Sequence, residues 1–247
     1  HTWNVKRLRP VSFARYDYTQ ENYTPLLWFF EGLTSYYDDL LLCRAELISP
    51  AVYLKLLGKT INNVWQTPGR KKHSVAQSSF EAWTKLYLQD ANSPNLSVSY
   101  YAKGSLVGLC LDLSLRQSGH SLDEVMRGLW KRCKAGPMQE SDLLQVLKDI
   151  TGRSWQRELK AWVHGTADLP LQERLSAQGV DIHFENAPLT QQLGLRVQEN
   201  HAVQVKTVLS GSVCEAAGFA PGDEWLGVTV SANTASATFT NEKLLAR

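Results

Sequence analysis

Three separated stretches carry the side chains best suited to chemistry. They are His1-Thr2-Trp3-Asn4-Val5-Lys6-Arg7, Trp28-Phe29-Phe30-Glu31-Gly32-Leu33-Thr34-Ser35-Tyr36-Tyr37 and Ser99-Tyr100-Tyr101-Ala102-Lys103-Gly104. Histidine and glutamate are among the side chains that bind metal ions, and a tyrosine hydroxyl can donate to a developing negative charge. Singly, each stretch has a plainer reading. A histidine at residue 1 is an exposed side chain. Glu31, between Phe29, Phe30 and Leu33, needs a partner, and a core salt bridge supplies one. Tyr-x-Lys-Gly is an ordinary helix entry.

The elements that must position these residues divide near Gly179. Before it the pattern is helical, and it reads as helical from the first residue. Thr24-Pro25 opens an apolar run through Leu42, with a capping threonine and proline at the first helical position. Ser49-Pro50 opens another, stopped by Thr67-Pro68-Gly69. Ser78 to Leu88 reads as an aromatic helix, and Tyr101 to Gln117 as a long apolar one closed by Gly119. Ser121 and Glu124 form a capping-box pattern for a helix through Cys133. Helices over Ser141–Ile150 and Ser154–Val163 end at Gly152 and Gly165, and a short one spans Leu171 to Gln178. Beyond Gly179 the period becomes two, at Val180, Ile182 and Phe184, at Leu193, Leu195 and Val197, and at Val203, Val205 and Val208. Glu224 to Val230 reads as a further strand. The expected organisation is a mainly α domain over 1–178 and a small β-rich domain over 179–247.

Composition narrows the classes. The 247 residues carry 26 basic and 24 acidic side chains, a formal net charge of +2. That balance argues against dedicated nucleic-acid or membrane-surface binding. No apolar run reaches the ~18 residues of a membrane span. Cys43, Cys110, Cys133 and Cys214 form no Cys-x-x-Cys pair, and Cys43 and Cys110 read as reduced core residues.

Taken together, the three stretches resemble the glycyl aminopeptidase family of zinc peptidases, relatives of the aminopeptidase-N-like gluzincins. Thr67-Pro68-Gly69-Arg70, Leu111-Asp112-Leu113-Ser114-Leu115-Arg116 and Gly165-Thr166-Ala167-Asp168-Leu169-Pro170 also look like the family. The resemblance runs from His1 to about Gly222. It implies a thermolysin- or aminopeptidase-N-like helical fold. It also implies a zinc held by His-Glu-x-x-His on one helix and a glutamate on a second. His1 matches the second histidine, Glu31 the third ligand, and Tyr101 the tyrosine beside the reacting carbonyl. Asn4 and Ser35 are candidates for orienting the ligands, with ordinary helix-surface hydrogen bonding as the alternative. The implied substrate is a peptide with a small N-terminal residue, glycine or alanine, and the implied origin is bacterial.

This sequence departs from the motif, since the first histidine and the catalytic glutamate would precede residue 1. The chain is therefore expected to be a C-terminal fragment that binds zinc poorly and hydrolyses nothing alone. The longer spacing to Glu31 leaves a loop through Tyr16, Tyr18 and Tyr23, which either lines the cleft or is a surface excursion. Lys6, Arg7 and Arg9 read as a solvated face, or as a partner for the substrate carboxylate.

Leu193-Gly194-Leu195, the segment Ser210 to Gly218 and Pro221-Gly222-Asp223 resemble a PDZ domain, incomplete because Ser231 to Arg247 leaves the pattern. A PDZ domain implies a peptide ligand added to a sheet edge. The competing expectation is a non-catalytic peptide-binding protein that uses this domain. The compartment is expected to be cytoplasmic rather than periplasmic.

Overall fold

The computed structural model describes residues 1–199, 201–231 and 234–240, from residue 228 onward by backbone alone. The chain forms two compact units. One comprises His1–Leu88 and Ser97–His183, and the other Gln89–Leu96 with the chain from Phe184 onward. In chain order the helices are α1 (Leu33–Arg44), α2 (Pro50–Trp65), α3 (Val75–Phe80), α4 (Ser93–Leu96), α5 (Ala102–Arg116), α6 (Leu122–Arg132), α7 (Glu140–Thr151), α8 (Gln156–Leu159), α9 (Leu171–Ser176), α10 (Leu189–Leu193) and α11 (Val213–Ala216). The strands are β1 (Arg9–Pro10), β2 (Pro137–Met138), β3 (Leu195–Glu199), β4 (Val203–Val208), β5 (Glu224–Ser231) and β6 (Thr234–Thr240). π-Helical turns occupy Trp28–Gly32, Ala82–Leu86 and Lys160–His164.

The first unit is helical, apart from the short parallel pair of β1 and β2. Its axis is α5, buried from Lys103 to Leu115 with the polar side chains of Lys103, Ser105, Asp112 and Ser114 included. A helix with no exposed face must be wrapped by other elements. Three of the capping signals act as read. Ser49 Oγ accepts from Val52 N ahead of Pro50, Ser121 Oγ accepts from Glu124 N, and Gly152 closes α7 in the left-handed conformation. The aromatic helix expected over Ser78–Leu88 is instead α3 followed by a π turn.

Two local expectations are corrected. Residues 1–8 are turns, not helix: Arg7 N and Leu8 N both donate to Trp3 O, and Val5 takes φ +86°, outside the helical region. The alternation at Val180, Ile182 and Phe184 makes no strand, because residues 180–188 carry no regular structure. Val180 and Ile182 pack on the helical core, and Val180 N donates to Leu175 O, so this segment finishes the helical unit.

The second unit is built on an antiparallel sheet in the order β3-β4-β5-β6, with β3 at one edge. Leu195, Val205, Val208 and Cys214 are buried at its centre. Asn95 of α4 ties into this unit, donating through Nδ2 to Val208 O (2.8 Å) and accepting from Ser210 N (2.8 Å).

Candidate active site

The site is assembled where the π turn Trp28–Gly32 crosses the start of α5. A Cβ on Gly32 would lie 2.7 Å from Gly104 Cα and 3.0 Å from Tyr100 O, and one on Gly104 would lie 2.9 Å from Trp28 O. Two backbones can approach this closely only where neither residue has a side chain. Glu31-Gly32 and Lys103-Gly104 therefore face each other, and this contact brings Glu31 alongside the residues before Ala102. A π turn widens the helix by one residue and recurs at functional sites. Here it carries Glu31, whose neighbours along the chain, Phe29, Phe30 and Leu33, are all buried.

Across 30 positions of sequence, His1 Nε2 lies 2.9 Å from Glu31 Oε2. Asn4 holds this meeting in place. Its Nδ2 donates to Phe30 O at 3.2 Å and to Thr34 Oγ1 at 3.5 Å, flanking Glu31 on its own turn. Asn4 is buried, and its Oδ1 lacks a hydrogen-bond partner among the described residues. Burial raises the Glu31 carboxyl above the ordinary carboxylate range. The N-terminal ammonium opposes that rise, and the Asp38 charge adds to it. Tyr101, half-buried at the head of α5, lies within the electrostatic reach of Glu31. Its hydroxyl is pushed up to about 12, first by burial, and by the charge of Glu31 among smaller causes.

The sequence candidates His1, Glu31, Asn4 and Tyr101 are thus gathered at one place. Ser35 borders a separate small cleft with Asp39, Tyr53 and Thr60. Lys6 and Arg7 are exposed, and the Arg9 guanidinium donates to Lys6 O. Tyr16 meets Phe13 edge-on and Tyr18 at a tilt, and Tyr23 packs on Phe80. Beside His1 opens a groove of about 800 Å³, with Trp3, Tyr37, Leu41, Met126 and Trp130 among its walls. Sequence reading missed two neighbours of Tyr101, namely Tyr100 and Tyr87; the phenols Tyr87 and Tyr100 meet at 3.4 Å. The doubled Tyr100-Tyr101 was the available signal for the first, whereas nothing in the pattern around Tyr87 sets it apart.

His1 and Glu31 provide an imidazole nitrogen and a carboxylate oxygen, both donors that zinc accepts. Among the described residues no group of three or more histidine, cysteine or carboxylate side chains gathers that could hold a metal ion. The donor chemistry fits zinc, but the number falls short of the three protein ligands of a catalytic zinc site. Among the described residues, no helix is long and apolar enough to cross a membrane.

A family model for the M61 glycyl aminopeptidases matches residues 1–107. A crystal structure of an aminopeptidase N family protein from Idiomarina loihiensis superposes with a TM-score of 0.86 at 34% identity. The match takes in 92% of this chain and 42% of that one, so these residues span less than half of the similar protein. No curated protein matches the chain.

Proposed function

We propose, from its membership of the M61 glycyl aminopeptidase family, that this chain is the C-terminal part of a zinc-dependent aminopeptidase acting on peptides that begin with glycine or alanine. The observation that carries the reading is the 2.9 Å approach of His1 Nε2 to Glu31 Oε2, with Tyr101 at the adjoining helix start. In this reading His1 and Glu31 are two of the three protein ligands. The remaining histidine and a general-base glutamate come from sequence ahead of residue 1.

When bound, zinc supplies a water whose pKa falls to about 7. The chain's own residues do the rest of the work assigned to it. Asn4 fixes the backbone carbonyl of Phe30 and so the direction of the Glu31 carboxylate. Tyr101 remains protonated far above neutrality and donates its hydrogen bond to the oxyanion of the tetrahedral intermediate. Oxyanion donors of this kind are worth roughly 3 kcal/mol of transition-state stabilisation.

The test has two parts. The 247 residues alone, purified and analysed by atomic emission, should hold far less than one zinc per chain and cleave no glycyl-p-nitroanilide. Joined to the parent sequence upstream, the protein should hold one zinc and cleave the substrate. A parent reading frame without His-Glu in the positions before His1 sinks the proposal. The β3 edge and the Leu193-Gly194-Leu195 approach to it favour a second role for the sheet unit, capture of an extended peptide by strand addition in the manner of a PDZ domain. Isothermal titration of that role uses C-terminal peptides, and Leu195→Asp should abolish the heat.

A further inference from the structure

Helix α1 is poorly buried for its composition. Only Leu33 and Tyr36 of its 12 residues are buried, and Leu41 is left 52% exposed. Helices in proteins draw most of their stability from an apolar face packed on another element. The uncovered face belongs to the groove of about 800 Å³ beside His1. One wall of that groove is Thr34, Tyr37 and Leu41, which recur at helical spacing along α1. The other wall is Met126, Arg127 and Trp130 of α6.

The two walls run in opposite directions. At one end Arg44 Nη1 pairs with Asp123 Oδ2 at 2.9 Å, joining the last turn of α1 to the first turn of α6. At the other end Trp130, in the last turn of α6, meets Trp3 edge-on with ring centroids 6.0 Å apart. There too Asn4 Nδ2 lies 3.5 Å from Thr34 Oγ1, in the first turn of α1. Two antiparallel helices thus bracket a trough, a shape that receives a third helix. From Thr34 to Arg44 the trough runs about 15 Å, or about three helical turns.

Asn4 makes a second, independent demand. It is buried in the groove lining, and its Oδ1 has no hydrogen-bond partner among the described residues. A buried carbonyl oxygen without a donor is unfavourable, and an occupant that brings an N–H or O–H removes the penalty. Position and direction name the occupant. His1, Trp3 and Asn4 lie at the Thr34 end of the trough, so chain leading into residue 1 arrives there. The similar solved chain has more than half of its length outside the match, enough to supply such a helix. Arg127 and Lys131 on the α6 flank favour carboxylates on that side of it, and Asp38 on the α1 flank favours a cation.

We propose that this trough is the seat of a helix formed by the residues immediately ahead of residue 1, about ten of them. The helix runs from the Arg44 end to the Thr34 end, antiparallel to α1 and parallel to α6. It lays an apolar stripe against Leu41 and Trp130 and brings a donor to Asn4 Oδ1. This rests on the peptidase reading in one respect, that the chain continues ahead of residue 1.

Photo-crosslinking in the parent protein tests it. Leu41→Bpa and Trp130→Bpa, where Bpa is p-benzoylphenylalanine, each replace one exposed apolar side chain, in opposite walls. After irradiation, mass spectrometry should place both crosslinks within the ~15 residues ahead of residue 1. The crosslink from position 130 should fall nearer to residue 1 than the crosslink from position 41. The reversed order, crosslinks to any other segment, or crosslinked dimers overturn the proposal. Hydroxyl-radical footprinting needs no substitution and covers the case in which a Bpa variant fails to fold. Oxidation of Trp3 and Trp130, 40% and 37% exposed in the 247-residue chain, should fall by roughly 10-fold in the parent, to the level of core residues. Unchanged oxidation there also overturns the proposal. Zinc content and turnover of the same parent protein separate this from the peptidase reading. The expected crosslinks in a parent without zinc or activity leave the helix seat standing and sink the peptidase reading. Full zinc and turnover with crosslinks elsewhere sink the helix seat alone.

Discussion

The helical unit and the sheet unit reach order by different means. The helical unit buries α5 from Lys103 to Leu115, and with it the polar side chains Lys103 and Asp112. Each of these is satisfied: Lys103 Nζ donates to Arg70 O, and Asp112 receives from Tyr36 Oη, Arg116 Nε and Leu122 N. Among the described side chains the sheet unit has a much smaller core, Leu195, Val205, Val208 and Cys214. There the backbone does more of the work, through left-handed glycines and the Asn95 clasp. A large core can hold strained or polar chemistry because many apolar contacts surround it. A small one depends on turn geometry and single hydrogen bonds.

The sharpest way to break that comparison is to empty each core. Leu111→Ala, at a fully buried position of α5, should cost about 4 kcal/mol by urea unfolding of the helical unit. Val205→Ala should cost only about 2 kcal/mol, yet raise amide exchange in β3 and β4 by roughly 30-fold, since a small unit opens locally. Equal exchange rates in β4 and α5 of the unmodified chain would erase the distinction.

Glycine sharpens it next. In the helical unit Gly32 is needed for contact, and Gly32→Ala puts a Cβ 2.7 Å from the backbone of Gly104, where nothing flexible can yield. The expected cost is about 3 kcal/mol, together with loss of the Glu31–Tyr101 neighbourhood. In the sheet unit Gly218 has open space around it but sits at φ +83°. Gly218→Ala should therefore cost only the left-handed penalty of about 1–2 kcal/mol. Thermal unfolding followed by exchange mass spectrometry separates the two. A Gly32→Ala protein with an unchanged melting temperature would refute the close-contact account of the site. Asn95→Ala ranks close behind, at about 1–2 kcal/mol confined to the sheet unit, for two hydrogen bonds lost from a buried position.

How much of this could be read beforehand differs between the units for the same physical reasons. Helix starts announced themselves, because Ser49, Ser121 and the glycine stop at Gly152 act locally on their own backbone. The gathering of His1, Glu31 and Tyr101 was legible only through resemblance, since no periodicity states that Gly32 and Gly104 touch. The π turn under Glu31 left no sequence trace, because it differs from an α turn by one shifted hydrogen bond. The strand expected at Val180–Phe184 failed because alternation reports a half-buried surface and not the partner that covers it. There the cover was the helical core. The Asn95 clasp, joining residues more than a hundred positions apart, lies beyond any local pattern.

The mildest difference between the units is their response to acid, and it turns on His73. This side chain is 4% exposed at the start of α3, with Nε2 3.1 Å from Glu81 Oε2 and Nδ1 without a partner among the described residues. Burial is the main force lowering its pKa. Glu81 pulls the other way, and the charges of Lys85 and Lys103 lower it further. In the unfolded chain His73 takes a proton near the ordinary histidine value of 6.5, while in the folded chain it resists until the pH is lower. The stability contributed by the neutral imidazole is therefore full above 6.5 and is lost as pH falls toward the folded value. Urea unfolding of the helical unit between about pH 5 and pH 8 should show the unmodified chain weakening more steeply than His73→Gln on the acid side. Parallel pH slopes in the two proteins would remove His73 from the account. The sheet unit's amide exchange, followed in the same two proteins, should not separate them at any pH. A separation there would mean that the two units do not respond to protons independently, and the contrast between them would narrow accordingly.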